Sequence, residues 1–386
     1  MQPTLLSPEV RQDLLKRGFS RRSFGRFATL IGVGAALPFY NEAALAQGLS
    51  AIRGPIPPDA VKLNANENPL GPCPEAAEAI YRVVQKGGRY LYEETFGFSQ
   101  LQADLEGLKA SYVVPFGGSS APLHQAVMAF ASPDRPLVMG DPGYEAASRA
   151  AEFVGAKVIK VPLTKAYAHD VRAMVQAAPN AGVIYICNPN NPTGTLTSRA
   201  DIEWVLANKP AGSILLLDEA YIHLTTASPA SDLVAADKDI VILRTFSKLY
   251  GMAGLRAGAA FGRPDLLAKL AGYSAGALPV TGMVGAAASL KVSDKLVPQR
   301  RAFIANIRED VQSWLVSKKI DFVASQSNKL MIDTKRPGNE VIQAMFKEKV
   351  LIGRVWPVWP THVRVSIGTS EEMARFKTAF AKVMEV

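Results

Sequence analysis

A lysine that follows directly on an apolar stretch is the first candidate for chemistry in this sequence. Lys248 ends the segment Thr-Phe-Ser-Lys, just beyond the apolar run 240–243. A lysine amine at the end of a buried strand can form an imine with a carbonyl-bearing cofactor. Thr245 and Arg256 stand on either side of it and are suited to binding a phosphate group. The segment predicts an amine nucleophile beside a phosphate site; the alternative is a solvated surface lysine.

A carboxylate ends a second apolar run. Asp218 follows three leucines at 215–217, and a carboxylate buried there needs a partner. A protonated ring nitrogen of a cofactor would be such a partner, and the hydroxyl of Tyr221 could reach the same ring. The alternative is a carboxylate that caps a helix.

Two polar loops supply further hydrogen-bond donors. The loop 188–194, Asn-Pro-Asn-Asn-Pro-Thr-Gly, follows an apolar run, and its prolines and amides indicate a rigid loop with side-chain donors. The segment 117–120, Gly-Gly-Ser-Ser, leads into a helical pattern, so a phosphate could bind at the helix N-terminus. Taken alone, that second segment is more typical of a simple turn.

The elements that must position these loops follow from the hydrophobic pattern. Short apolar runs alternate with helical spacing over 74–288, which predicts an α/β domain with a mainly parallel sheet between helices. Residues 289–386 indicate a smaller α+β domain, and 47–73 an N-terminal arm that contributes to it. The predicted strands are 137–139, 157–161, 183–187, 214–217, 240–243, 329–332, 351–352 and 363–367, and the predicted helices are 74–85, 99–109, 124–130, 145–154, 199–207, 295–317, 340–347 and one from Ser370.

Residues 1–46 are predicted to be a signal peptide for export. Arg21 and Arg22 precede Ser-Phe, an uncharged apolar run covers 27–40, and Ala-Leu-Ala at 44–46 has the pattern of a cleavage site. The paired arginines are typical of the twin-arginine route. The run is short for a permanent span, so we expect a periplasmic or exported protein, soluble after cleavage and without a stable membrane anchor. The alternative is an amphipathic helix that stays attached.

The overall composition argues against two other classes of protein. The net charge is +9, but the basic residues are scattered, and no nucleic-acid-binding module is recognisable. The two cysteines, Cys73 and Cys187, and the four histidines lack the spacing of metal ligands. We therefore expect neither a nucleic-acid partner nor a metal.

Taken together, the motifs resemble the class I/II aminotransferases of fold type I, which depend on pyridoxal 5'-phosphate (PLP). The resemblance is strongest to the histidinol-phosphate aminotransferase branch. It includes Leu-Asn-Ala-Asn-Glu-Asn-Pro at 63–69 and Val-Arg-Val-Ser-Ile-Gly-Thr at 363–369, and it covers essentially the whole chain after residue 46. It implies PLP as cofactor, a large and a small domain, and a homodimer with shared active sites. The implied substrates are an amino acid and a 2-oxo acid.

The resemblance also implies a role for individual residues. Lys248 would hold the cofactor and move the proton of the substrate α-carbon, while Asp218 would keep the ring nitrogen protonated. Tyr221 and Asn191 would bind the ring oxygen, and Tyr144 would stack on the ring. The implied phosphate ligands are Ser119, Ser120, Thr245, Arg256 and, from the neighbouring subunit, Tyr90; the implied substrate ligands are Arg364 for the α-carboxylate, Arg354 and Asn68.

Two features depart from the histidinol-phosphate branch. The stretch 108–115 before the phosphate loop is shorter than is usual in the family. Arg354 stands where the histidinol-phosphate branch binds the substrate phosphate, and it is followed by Val-Trp-Pro-Val-Trp-Pro at 355–360. An aromatic or apolar amino acid is therefore also a candidate substrate. The main expectation is a ping-pong aminotransferase. Decarboxylation, racemisation, elimination or oxidation with the same cofactor remain open, as does a non-catalytic binding protein.

Overall fold

The structure, a computed structural model, describes residues 8–20, 42–48, 55–273 and 277–386. Arg21, Arg22 and the apolar run 27–40, which carry most of the predicted export signal, lie outside the described residues. No helix within the described ranges has the length and apolar character needed to cross a membrane.

Helices and strands alternate over most of the described chain. The helices are α1 Pro8–Lys16, α2 Glu42–Gly48, α3 Pro74–Val84, α4 Tyr92–Leu105, α5 Ser120–Phe130, α6 Ala146–Val154, α7 Val171–Gln176, α8 Arg199–Asn208, α9 Ser231–Ala235, α10 Pro264–Ala271, α11 Val280–Lys291, α12 Ser293–Ser317, α13 Gly338–Lys347 and α14 Ser370–Met384. The strands are β1 Val61–Leu63, β2 Val113–Phe116, β3 Leu137–Asp141, β4 Val158–Pro162, β5 Val183–Cys187, β6 Ile214–Asp218, β7 Ile240–Thr245, β8 Gly258–Gly262, β9 Phe322–Val323, β10 Lys329–Asp333, β11 Val350–Ile352 and β12 His362–Ser366.

The large sheet lies at the centre of the fold. Within the described ranges it has seven strands in the order β2-β8-β7-β6-β5-β3-β4. Strands β3 to β7 are parallel, and β8 runs antiparallel to both β7 and β2. Every residue of β5, β6 and β7 is buried, which explains the apolar runs in these strands; Asp218, Arg244 and Thr245 are the charged or hydroxyl-bearing residues at the ends of β6 and β7. The predicted fold class is confirmed.

Strand register brings the carboxyl ends of several strands to one edge of this sheet. Cys187, the last residue of β5, pairs with Asp218, the last residue of β6, and β7 lies next to β6. Thr245, which ends β7, pairs with Gly258 of β8, and Gly258 also pairs with Phe116, which ends β2. The loops after β2, β5, β6 and β7 therefore start from the same edge, where open α/β sheets bind ligands.

A second lobe is built from the C-terminal part of the chain. Strands β12, β10 and β9 form an antiparallel sheet, and Arg364 lies in the middle of β12 opposite Met331. Val61 of β1 pairs in parallel with Val350 of β11, so the N-terminal arm contributes a strand beside this lobe. A capping box starts α14, in which the side chains of Thr369 and Glu372 bond reciprocally to the backbone.

Several elements were not predicted from the pattern, or were predicted with different bounds. After residue 48, the elements missed were strands β1, β2, β8 and β9 and helices α7, α9, α10 and α11. Strand β8, Gly-Ala-Ala-Phe-Gly, lacks the branched residues that mark a strand. Helix α4 begins at Tyr92, whereas the prediction began it at residue 99. The true start was missed because Leu91, which precedes it in the left-handed region (φ 50°), has no capping side chain.

Two segments of the predicted signal peptide pack against the fold in the full-length chain. Leu14 and Phe19 are buried, and Arg17 donates hydrogen bonds to the carbonyls of Met128 (2.8 Å) and Ala129 (2.9 Å) at the end of α5. Helix α2 contains the predicted cleavage pattern 44–46 and lies at the functional site described next.

Candidate active site

A cavity of about 260 Å³ opens at the carboxyl edge of the large sheet. Its walls come from the loops after β2, β3, β5, β6 and β7. The fold thus brings together residues that are more than a hundred positions apart in sequence. The predicted site residues that line this cavity are Ser119, Ser120, Tyr144, Asn191, Asp218, Tyr221, Thr245, Lys248 and Arg256.

Lys248 presents its amine to the cavity from the loop after β7. The side chain is buried, and Nζ donates a hydrogen bond to the carbonyl oxygen of Ala65 (3.3 Å). Burial lowers the pKa of Lys248 to about 8; the negative charge of Glu42 opposes this shift and the positive charge of Arg364 adds to it. A neutral amine, which is the nucleophilic form, is therefore accessible near neutral pH.

This lowered pKa predicts how cofactor capture depends on pH. When PLP is mixed with apoprotein, we expect the rate of formation of the visible absorption band to rise about tenfold per pH unit and to level off above about pH 8. The rate rises with pH because only the neutral amine reacts, and it levels off because the neutral fraction is complete above the pKa. A rate that still rises through pH 9.5 would show an ordinary lysine. Stopped-flow absorption measures this rate, and the Lys248→Ala apoprotein is the control.

Asp218 lies across the cavity at the end of β6. Its carboxylate accepts hydrogen bonds from the hydroxyl of Tyr185 (3.0 Å) and from the backbone N–H of Ala220 (3.1 Å). Burial raises the pKa of Asp218 to about 6, although both hydrogen bonds lower it. A carboxylate destabilised by burial favours a cationic partner. Tyr185 was missed from sequence, although it is the one hydroxyl-bearing residue of the run that forms β5.

The loop after β2 leads into the N-terminus of α5. Ser119 is the N-cap and Ser120 the first residue of that helix, so hydroxyls and free backbone N–H groups face the cavity. Gly118 has φ 95°, and a Cβ at this position would collide with the guanidinium of Arg256. Glycine is therefore required for the loop to pass this close to the arginine.

Arg256 is fixed at this end of the cavity by its own hydrogen bonds. Its guanidinium donates to the carbonyls of Ala253 (2.7 Å) and Gly117 (2.9 Å) and to the hydroxyl of Ser247 (3.4 Å). Thr245 donates in turn to Ser247 (2.9 Å). A guanidinium, several hydroxyls and a helix N-terminus form a donor set suited to a phosphate dianion. Ser247, which we had not assigned as a ligand, belongs to this set.

Between Asp218 and Lys248, the cavity walls suit a flat ring. Tyr144 is buried along one wall, and Asn191 and Tyr221 line the cavity beside it. The Tyr221 hydroxyl accepts a hydrogen bond from Asn66 Nδ2 (3.0 Å), which fixes its position. A carboxylate, an amine, phenol and amide groups and a phosphate cradle thus surround one cavity.

Two buried arginines, Arg354 and Arg364, bind Glu42, which lines the cavity, although neither arginine is part of the cavity wall. Arg364 Nη2 donates to Glu42 Oε1 (2.6 Å) and Nη1 to Asn191 Oδ1 (3.0 Å). Arg354 Nη1 donates to the same Glu42 oxygen (2.6 Å) and is also bound by the carboxylate of Glu145, at 3.2 Å through Nε and 2.7 Å through Nη2. Glu42 and Glu145 were both missed, because their arginine partners are more than two hundred positions away.

The aromatic residues after Arg354 lie beneath the arginines. Trp356 is 1% exposed, donates from Nε1 to the Gly143 carbonyl (2.9 Å), and does not line the cavity. The guanidinium carbons of Arg354 and Arg364 lie 4.6 and 5.4 Å from its ring centre. Trp356 therefore supports the arginines by cation–π contact. Trp356 itself is not part of the cavity wall, and the aromatic or apolar substrate stays a prediction.

Two predicted ligands lie away from the cavity of this chain. The side chain of Asn68 donates to the Leu249 carbonyl (2.7 Å) and accepts from the Leu70 N–H (3.0 Å). Tyr90 is 71% exposed on the outer surface. The role of Tyr90 in a neighbouring subunit stays a prediction.

The side chains of the cavity match the carbonyl, the ring nitrogen and the phosphate of PLP. Lys248 would hold its carbonyl carbon, Asp218 its ring nitrogen, and Ser119, Ser120 and Arg256 its phosphate. When bound, the cofactor withdraws electrons from the α-carbon of an amino acid and so makes that C–H bond acidic. The fold and this donor set together define a PLP-dependent transferase of fold type I.

The comparisons with known proteins place the chain within this class. It belongs to the aminotransferase class I and II family, whose model matches residues 58–380. A histidinol-phosphate aminotransferase of Symbiobacterium thermophilum is 33% identical over 326 residues, covering 83% of this chain and 90% of that protein. Another, from Nitrosococcus oceani, is 33% identical over 333 residues, covering 84% and 89%.

A solved structure has the same fold. Histidinol-phosphate aminotransferase from Sinorhizobium meliloti in complex with PLP shares the fold with a TM-score of 0.77 at 23% identity, covering 95% of this chain and 99% of that one. The chain is a PLP-dependent aminotransferase, and PLP is its cofactor. The predictions of family, activity and cofactor are confirmed.

Proposed function

We propose that this enzyme moves the amino group of an α-amino acid with an uncharged, apolar or aromatic side chain to a 2-oxo acid in two ping-pong half-reactions. The main support is the carboxylate of Glu42, which binds to Arg364 beside Lys248. Arg364 Nη2 lies 2.6 Å from that carboxylate, and Asn191 Nδ2 lies 3.0 Å from its other oxygen. A substrate α-carboxylate on the same donors would lie close to the amine.

The residues around this position have separable roles in the proposal. Arg364 binds the carboxylate and fixes the orientation of the amino acid. Lys248, as a neutral amine, removes the proton from the α-carbon. Its lowered pKa suits this role, since burial reduces the protonated fraction near neutral pH.

The charge balance of the two arginines favours a substrate with one carboxylate. Arg354 already shares its charge with Glu145 in a two-bond contact, so one positive charge remains for the substrate. A second candidate, a phosphate-bearing donor like histidinol phosphate, is favoured by the named relatives and by the presence of two adjacent arginines. The two candidates make opposite demands on Glu145.

Glu145→Gln is therefore expected to change donor preference. Removing this negative charge should raise kcat/KM for donors with a phosphate or second carboxylate about tenfold relative to aromatic donors, which corresponds to about 1.4 kcal/mol. Steady-state kinetics with a panel of amino acids and 2-oxo acids measures the ratio, and Glu152→Gln, an exposed acid on the same helix, is the control.

The same donor panel also tests the reaction type and the proposed preference. A wild-type enzyme that already prefers histidinol phosphate would overturn the proposed substrate class. Release of carbon dioxide or ammonia, or inversion of the donor without exchange of its amino group, would instead identify one of the other PLP reactions.

We also propose that two chains form a homodimer. Apolar side chains are exposed along residues 70–105, with Tyr90 and Phe96 each 71% exposed. Such a patch is typical of a protein interface. In this arrangement, Tyr90 of the partner subunit would reach the cofactor phosphate. The exposed apolar residues of the patch are Leu70, Tyr81, Val84, Tyr90, Tyr92, Phe96 and Leu105.

Phe96→Asp should therefore separate the subunits and weaken cofactor binding together. Sedimentation equilibrium is expected to give twice the 41.4 kDa chain mass for wild type and a single chain mass for the variant. PLP dissociation should be faster in the variant by at least about tenfold, because a shared phosphate ligand is lost. Tyr90→Phe should weaken PLP binding while the dimer persists. A wild-type monomer with tightly bound cofactor would contradict the shared site.

Export by the twin-arginine route is proposed on the basis of the sequence of residues 1–46, with a periplasmic or exported mature enzyme. Replacing Arg21 and Arg22 by lysine should retain the chain in the cytoplasm of a bacterium that has this route. Cell fractionation, with Lys16→Arg as control, measures the distribution. An unchanged distribution would contradict the proposal.

A further inference from the structure

Glu42 lies in the active-site cavity although it belongs to the predicted signal peptide. It starts α2, and within that helix Leu45 and Ala46 are buried at 1% and 3% exposure. It is also the only acidic residue between Asp13 and Asp59. A single negative charge from this segment is thus held at the cavity by a packed apolar helix.

The contacts of Glu42 are those of a bound carboxylate ligand. One oxygen accepts from both Arg354 and Arg364 at 2.6 Å, and the other accepts from Asn191 Nδ2 at 3.0 Å. Burial alone would raise the pKa of Glu42, but the positive charges of Arg354, Arg364 and Lys248 outweigh it and hold the pKa well below its usual range. Glu42 is therefore an ionised, multiply bonded carboxylate.

The rest of the fold does not require the contact between Glu42 and the two arginines. The family match begins at residue 58, after the segment that carries Glu42. Arg354 has a second carboxylate partner in Glu145, and Arg364 also donates to the carbonyl of Asn64 (2.7 Å). Both arginines thus keep a partner when Glu42 is absent. The geometry of the contact instead matches the recognition of a substrate carboxylate.

From this we infer that residues 42–48 act as an intramolecular competitive inhibitor, in which the Glu42 carboxylate occupies the subsite for the substrate α-carboxylate until the leader leaves. The inference rests on the proposed role of Arg364. Two carboxylates cannot share these donors, so an incoming amino acid must displace Glu42. A tethered ligand competes at an effective concentration in the millimolar range. Cleavage after Ala46 would remove Glu42 and open the site.

The test uses full-length holoenzyme with Glu42→Gln, Glu42→Ala and, as the matched control, Asp13→Asn, an exposed acid of the same leader. Calorimetry with 3-phenylpropionate, a carboxylate that lacks an amino group, measures the dissociation constant, and kinetics separates KM from kcat. We expect both Glu42 variants to bind the probe about tenfold more tightly and to lower KM by a similar factor. We expect kcat to be unchanged and Asp13→Asn to match wild type.

Equal probe affinity in wild type and both Glu42 variants would overturn the inference. Two Glu42 variants are used because glutamine keeps the side-chain volume and one acceptor oxygen but removes the charge, whereas alanine removes the whole carboxylate group. Failure of the proposed function would look different. If the probe binds more tightly in both variants but no amino acid is transaminated, the subsite assignment stands and the reaction assignment fails.

Discussion

Lys248→Ala is expected to lower kcat by more than about 10⁴-fold, because the same amine binds the cofactor and moves the proton of the α-carbon. Its Nζ faces the cavity and has a lowered pKa of about 8, which no other side chain of the cavity reproduces among the described residues. The purified variant should also lack the visible absorption band seen with wild type. Absorption spectra and steady-state kinetics measure the two effects.

A second buried lysine provides a control for this prediction. Lys329 Nζ lies 3.3 Å from the centre of the Tyr221 ring and donates to Ser327 (2.8 Å), but it does not line the cavity. Lys329→Met should therefore keep the absorption band. The opposite pattern, with the band lost only when Lys329 is replaced, would show that Lys329 and not Lys248 forms the covalent link.

Asp218→Asn is expected to lower kcat by about 10³-fold with a much smaller change in KM. The substitution keeps the shape at the end of β6 but removes the negative charge that would hold the ring nitrogen protonated. Steady-state kinetics measures the loss, and circular dichroism checks the fold. A variant with nearly normal kcat would show that the charge of Asp218 is not used.

Tyr185→Phe is expected to have a smaller effect than Asp218→Asn, because it changes the pKa of Asp218 but keeps the carboxylate. The Tyr185 hydroxyl lies 3.0 Å from Asp218, and this hydrogen bond lowers the pKa of the carboxyl, so its removal should raise that pKa further. Asp218 would then lose its charge at a higher pH. The acidic limb of the kcat profile is therefore expected to move upward in pH, with a loss of only several-fold at pH 8.

The centre of the site could be predicted from sequence because its signals are local. Each of the strands β5, β6 and β7 contains a run of four apolar residues, and a polar residue that lines the cavity lies at the end of the strand or in the loop that follows. The parallel arrangement then places those loops at one edge. Lys248, Asp218 and Asn191 were found for this reason.

The remaining parts depend on distant contacts. Glu145 and Arg354 are 209 positions apart, and the sequence near each residue does not predict that they form an ion pair. Strands β2 and β8 are paired through a register that Pro115 and the glycines of β8 obscure locally. Residues 42–48 were assigned only to an export signal, so their contact with the site was not anticipated. Tertiary packing decides each of these features.

The central claim is tested most directly by a single-turnover experiment on the purified enzyme. One suitable amino acid, added without an acceptor, should remove the visible absorption band and yield one equivalent of its 2-oxo acid per subunit. A different 2-oxo acid should then restore the band and form its own amino acid. If no band forms even with added PLP, or if the donor yields ammonia or carbon dioxide instead, the account of Lys248 as the centre of an aminotransferase is contradicted.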